Sequence, residues 1–126
     1  MRLALLAALG GALGSFGRYL AVAVAATRLG TGFPWGTFAV NVTGSFAIGA
    51  TMAAIGHWLG GSAEWRVFLV TGILGGFTTF SAYSFETLQL LERKAFASAF
   101  LYAGGSVVLS LVAVWLGYAV VRMFAQ

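Results

Sequence analysis

A glycine-rich and hydroxyl-rich segment interrupts one of the most apolar stretches of the chain. Residues 72–86 have the sequence GILGGFTTFSAYSFE. In hydrocarbon an unpaired backbone group costs several kcal/mol, so such a segment is tolerated only where it is buried in protein or borders a water or ion path. We therefore expect a polar function here. Carbonyl oxygens freed near Gly75 and Thr78 would be suited to coordinate a sodium ion.

Two aromatic residues follow this segment at helical spacing. Phe80 and Tyr83 lie three residues apart, so their rings project to the same side of a helix. Such a pair more often belongs to a packed core. Ring edges carry the positive part of the aromatic quadrupole, however, and are able to contact an anion. The neighbouring hydroxyl groups favour such an anion path, and they belong to Thr79, Ser81 and Ser84.

The second apolar segment carries a polar stripe. Thr37, Asn41 and Ser45 are spaced four residues apart and align on one helix face. Asn41 offers two donors and two acceptor lone pairs, which must be met by other helices or by a pore. We favour a pore-lining role for Asn41 over a purely interhelical contact.

The fourth apolar segment repeats the pattern with Tyr102, Ser106 and Ser110. Their hydroxyl groups could donate to a dehydrated anion. They could equally bond to carbonyl groups of their own helix. Two stripes on two helices make a shared pore more plausible than either stripe alone.

Ionisable residues inside the spans are few. Arg18 follows Gly10 and Gly14 on one face of the first helix and would attract anions to a vestibule, although it lies near enough to the helix end to reach the interface. Glu86 could orient hydroxyl groups along a polar track that includes Thr37, or could simply reach the interface. The sequence leaves both pairs of alternatives open.

The composition explains how these residues must be positioned. The chain has 126 residues, of which 60% are hydrophobic and 8% charged, and it contains no cysteine. These values indicate an integral membrane protein, and the scattered basic residues argue against a nucleic-acid partner. We predict an all-α protein with one transmembrane domain over residues 1–126. Its four spans cover about residues 3–26, 35–59, 67–91 and 96–124, and the third helix is broken between about Gly75 and Thr79.

The basic residues are divided evenly between the two sides of such a bundle. Arg2, Arg66 and Arg122 fall on one side, and three further basic residues fall on the other: Arg28, Arg93 and Lys94. A balanced chain has no strong orientation signal. This predicts dual topology and an antiparallel homodimer surrounded by membrane lipid, although Arg18 and Arg66 could still tip the balance.

Four motifs in order resemble the Fluc (CrcB) family of fluoride channels across essentially the whole chain. They are GGALGSFGRY at 10–19, GTFAVNVTGS at 36–45, TGILGGFTTFS at 71–81, and the ladder of Tyr102, Ser106 and Ser110. The resemblance implies an antiparallel homodimer with two fluoride pores and one central structural sodium ion. Fluoride would leave the cytoplasm passively, which reduces its toxicity.

The same resemblance assigns roles to individual residues. Asn41 would supply the pore amide, Phe80 the pore aromatic ring and Arg18 the basic residue of the vestibule. Gly75 and Thr78 would offer sodium-binding carbonyls, and the hydroxyl ladder would continue the path. Tyr83 departs from the family's usual phenylalanine.

Three other classes of protein are compatible with this size. A small proton-coupled multidrug exporter is the main alternative, but such proteins carry an acidic residue in the first helix and this chain has none there. An enzyme would need a nucleophile with a base or a metal cluster, and neither is visible. A structural subunit would not explain the polar stripes. With no separate targeting segment, we expect a bacterial plasma membrane location.

Overall fold

The computed structural model describes all 126 residues and contains only helices. Helix α1 covers Arg2–Leu29, and α2 covers Trp35–Trp58. The next stretch comprises α3 (63–77) and α4 (Phe80–Glu92), and α5 covers Phe96–Phe124. Four helical stretches are long and apolar enough to cross a membrane. This confirms the all-α class and the four expected spans.

Two span boundaries differ by more than one residue from the sequence-based prediction. Helix α1 continues past residue 26 to Leu29, where Gly30 ends it at a φ of 80°. Thr27, which we placed in the loop, instead donates its hydroxyl to the Val24 carbonyl within the helix. The third stretch begins at Ala63 rather than at residue 67, because the Ser62 hydroxyl accepts the Trp65 N–H and caps this end.

The third stretch changes conformation along its length. A π-helical segment covers Arg66–Leu74, and a short α-helical turn follows at Gly75–Phe77. Thr78 and Thr79 then have extended backbone angles, with ψ values of 156° and 121°. The Thr78 hydroxyl donates to the Leu74 carbonyl, and the Thr79 hydroxyl accepts the Ala82 N–H. These two threonines therefore close α3 and start α4.

Glycine allows the helices of one chain to approach closely. Helix α1 packs along α3, and α2 packs along α5. A side chain at Gly10 would meet the Gly72 Cα at 2.9 Å, and one at Gly117 would overlap the Phe46 backbone. Close backbone approach is the usual function of small residues between membrane helices. The glycines of α1 therefore stabilise the fold of a single chain.

A methyl group at Gly14 would overlap the Ile73 carbonyl, whereas one at Gly11 would have no neighbour within 4 Å. We expect Gly14→Ala to lower the free energy of unfolding by about 1–3 kcal/mol through overpacking. Gly11→Ala should leave it unchanged or slightly raised, because alanine favours helix. Denaturant unfolding in detergent measures both variants. Equal stability of the two would contradict this packing.

Candidate functional site

A groove on one face of the chain collects polar and aromatic residues from three parts of the fold. It has a volume of about 240 Å³ and is open on one side. We call it the hydroxyl groove, and its lining residues are Asn41, Ser45, Ile48, Thr78, Thr79, Phe80, Tyr83, Ser106, Val107 and Ser110. The groove thus brings together six of the predicted path residues, which come from α2, α5 and the start of α4.

Asn41 connects α2 to the extended threonine pair. Its Nδ2 donates to the Thr79 carbonyl at 3.0 Å, and its Oδ1 accepts the Thr79 N–H at 2.8 Å. The extended Thr79 backbone lacks helical partners at membrane depth, so these bonds satisfy two groups that would otherwise be unpaired. Asn41 therefore makes an interhelical contact, and it also lines the groove.

Ser106 is a buried hydroxyl without a partner. The residue is only 4% exposed, and its Oγ has no hydrogen-bond partner in the chain. Leaving a buried polar group unpaired costs about 1–3 kcal/mol. Because Ser106 lines the hydroxyl groove beside Ser110, an acceptor in the groove would relieve this cost. An anion of small radius is such an acceptor.

The aromatic pair lies at the same groove. The ring centroids of Phe80 and Tyr83 are 5.3 Å apart with an interplanar angle of 38°. Phe80 is 76% exposed. The Tyr83 hydroxyl donates to the Ala103 carbonyl at 2.9 Å. The departure from phenylalanine is therefore accommodated by the backbone of α5, and the hydroxyl is engaged there.

The extended pair also leaves carbonyl groups without their helical donors. The N–H groups of Thr78 and Thr79 bond to the Leu74 carbonyl and to Asn41 Oδ1, so neither reaches the Gly75 carbonyl. The Thr78 carbonyl accepts no hydrogen bond. Free carbonyl oxygens are hard ligands that fit a sodium ion, although two from one chain are too few to complete its coordination.

Arg18 lies beside the same interruption. Its Nε donates to the Gly76 carbonyl at 3.0 Å, and the side chain is half-buried. It lines a second groove of about 380 Å³ together with Thr37 and Glu86. We call this the arginine groove. In a single chain Arg18 is thus held at the end of α3.

Glu86 accepts two hydroxyl groups from two different helices. The Thr37 hydroxyl donates to Oε1 at 2.8 Å, and the Tyr102 hydroxyl donates to Oε2 at 2.7 Å. Both donors are almost completely buried. Glu86 therefore orients two hydroxyl groups, which is the first of the two roles considered for it, rather than reaching the membrane interface.

Three predicted path residues do not line the hydroxyl groove. Tyr102 is fully buried behind Tyr83, with its ring centroid 5.4 Å from that of Tyr83. Ser84 donates to the Phe80 carbonyl of its own helix, and the Ser81 hydroxyl lies 3.2 Å from the Thr79 hydroxyl. Helical periodicity placed these residues on polar faces, but it could not show which hydroxyl groups would form hydrogen bonds within the chain.

A third groove has two polar lining residues that the sequence patterns did not indicate as site residues. Gln89 and Arg93 line a groove of about 180 Å³ that also borders Glu86. Glu86 and Gln89 lie three residues apart on α4, and Arg93 follows directly after its last residue, in register with the same helix face. That spacing was the available signal for the groove, and Arg93 lies in the connection after α4, as the sequence predicts.

The chain is similar to known proteins over almost its whole length. The family model described as "CrcB-like protein, Camphor Resistance (CrcB)" matches residues 5–118. A relative from Rhizobium meliloti (strain 1021) is 52% identical over 118 residues, covering 94% of each chain. One from Caulobacter vibrioides (strain NA1000 / CB15N) is 48% identical over 120 residues, again covering 94% of each. One from Acidobacterium capsulatum is 45% identical and covers 90% of each.

All three relatives carry the name "Fluoride-specific ion channel FluC". They are ion channels and not enzymes, in agreement with the prediction that this chain is not an enzyme. Together with the four apolar spans, these bacterial relatives identify a multi-pass protein of the bacterial plasma membrane. The resemblance inferred from the four sequence motifs is confirmed, and the chain belongs to the CrcB-like family.

Proposed function

We propose that this protein is a fluoride-selective channel through which fluoride leaves the cytoplasm passively, reducing fluoride toxicity. The observation that carries the proposal is the unpartnered Ser106 hydroxyl in a groove bordered by two aromatic rings. The name of the relatives supports the choice of fluoride. The groove offers hydroxyl donors and ring edges, and the carboxylate of Glu86 does not line it.

This lining suits the physical chemistry of fluoride. The ion is small and strongly hydrated, so a pore must replace its water with closely spaced donors and still release it. Ser106 and Ser110 offer hydroxyl groups, and Phe80 and Tyr83 offer ring edges. Beyond Ser106, the hydroxyl ladder reaches Tyr102, whose bond to Glu86 continues a polar track toward Thr37.

A homodimer would complete the path. The hydroxyl groove is open on one side, and Phe80 is largely exposed in the single chain. We infer that a second, antiparallel copy covers this side and that each dimer has two pores. The even distribution of basic residues supports insertion in both orientations. The interruption at Thr78 and Thr79 is then the functional break of the third span.

We further propose that a structural sodium ion lies on the two-fold axis of this dimer. The carbonyls of Gly75 and Thr78 from both copies would supply four oxygen ligands. A bound cation would hold the two interrupted segments together. In each chain the segment is already positioned by Asn41 and by Arg18, which bond to the carbonyls of Thr79 and Gly76.

Anion efflux from liposomes tests the proposed function. Purified dimer should release fluoride rapidly and chloride very slowly, as followed with ion-selective electrodes. Empty liposomes provide the control. A verified dimer without fluoride flux would refute the proposal and favour a proton-coupled exporter centred on Glu86.

Removal of the Ser106 hydroxyl should separate function from stability. Ser106→Ala deletes a group that has no partner in the chain, so the free energy of unfolding should not fall. Fluoride conduction should fall about three- to tenfold, because a hydrogen bond to a charged group contributes about 1.5–3 kcal/mol and neighbouring donors compensate in part. Single-channel current in planar bilayers is the measurement.

The control for this variant is Ser84→Ala, because Ser84 donates to the Phe80 carbonyl and does not line the groove. Its conduction should equal that of the unmodified protein. An unchanged current in Ser106→Ala would show that this hydroxyl does not contact the ion.

A further inference from the structure

The groove that borders Glu86 on the loop side of the bundle has its own polar lining. It is formed by the end of α1, the connection to α2 and one face of α4. We call it the loop groove. Gly30, Thr31 and Pro34 belong to the connection between two spans, so this end of the groove lies at the membrane surface. Its other end is formed by Thr37 and Glu86, which also line the arginine groove.

Three residues of this lining follow one another from the surface toward the interior, one directly after α4 and two on it. Arg93, Gln89 and Glu86 share one helix face, and Arg93 lies about 10 Å from Glu86 along the helix axis at 1.5 Å per residue. Arg93 and Gln89 also line a wider recess of about 560 Å³ on the outer side of α4. The Arg93 side chain is exposed. A fixed positive charge thus stands where the groove meets water.

The charges at this end of the bundle favour anions. Arg28, Arg93 and Lys94 lie there, against the single acidic residue Glu92. Arg93 alone among the three basic residues lines the loop groove. Charge at the mouth of a narrow passage raises the local concentration of the opposite ion and its rate of arrival. It would also offset the negative charge of Glu86 for an approaching anion.

We propose that the loop groove is an aqueous mouth of the ion path and that Arg93 is the residue that concentrates fluoride there. This inference rests on the proposed channel function and adds to it a route between the membrane surface and Glu86. Gln89 provides a neutral donor between the two charges. Arg93 acts through its charge and needs no direct contact with the ion inside the hydroxyl groove.

Single-channel recording of Arg93→Gln tests the proposal. In a neutral phosphatidylcholine bilayer at about 20 mM sodium fluoride, the fluoride current should fall about 1.5- to twofold, the effect of removing one charge about 7–10 Å from the ion in water at this salt concentration. In about 1 M sodium isethionate the same variant should conduct within about 1.3-fold of the unmodified protein, because salt screens the charge. Arg93→Lys should restore the low-salt current.

Lys94→Gln is the matched control, because it removes the same charge from the neighbouring residue, which does not line the groove. Its current should change by less than half as much. An equal effect of the two variants, or a loss in Arg93→Gln that persists in high salt, would overturn the inference. An unmodified protein without fluoride current would instead refute the proposed function itself.

Discussion

The exchange of two hydrogen bonds between the Asn41 side chain and the Thr79 backbone is the interaction on which the rest of the site depends. In the middle of a membrane span the N–H and carbonyl of extended Thr79 have no helical partners, and lipid offers none. Asn41 satisfies both backbone groups of Thr79, and Arg18 satisfies the Gly76 carbonyl one turn earlier. The interruption is therefore stabilised from α1 and from α2 at once.

This arrangement explains why the polar residues are divided among several helices. The Thr79 hydroxyl caps α4 and so fixes the direction in which Phe80 and Tyr83 leave the interruption. Helix α5 then contributes in two ways, with a carbonyl that accepts the Tyr83 hydroxyl and with the unpartnered hydroxyl of Ser106. Most polar groups of the bundle bond to one another, and Ser106 remains available to a ligand.

Hydropathy and helical spacing predicted the four spans and most of the hydroxyl groove. Asn41, Ser106 and Ser110 were found because polar side chains four residues apart in an apolar segment need a shared environment. Spacing alone could not show that the Ser106 hydroxyl is unpartnered whereas the Tyr102 hydroxyl is bonded within the chain. They lie on one face of α5, but the Tyr102 hydroxyl donates to Glu86 of another helix.

Other features depended on tertiary contacts that no local pattern contains. The loop groove is assembled from α1, the connection to α2 and α4. The sequence around Arg93 therefore indicated a loop residue but not that it borders a groove. Helix α1 likewise continues to Leu29, with the Thr27 hydroxyl bonded back into its own helix. A threonine near a loop does not by itself distinguish this from a turn.

The most direct measurement of the central claim is fluoride efflux through Asn41→Ala, with Thr43→Ala as control. The Thr43 hydroxyl bonds only to the Ala39 carbonyl of its own helix. If Asn41 holds the interruption that forms the pore, the variant should assemble as a dimer and lose at least about tenfold in flux, since each buried group left unpaired costs about 1–3 kcal/mol. Thr43→Ala should conduct normally. Undiminished flux through Asn41→Ala would contradict the account.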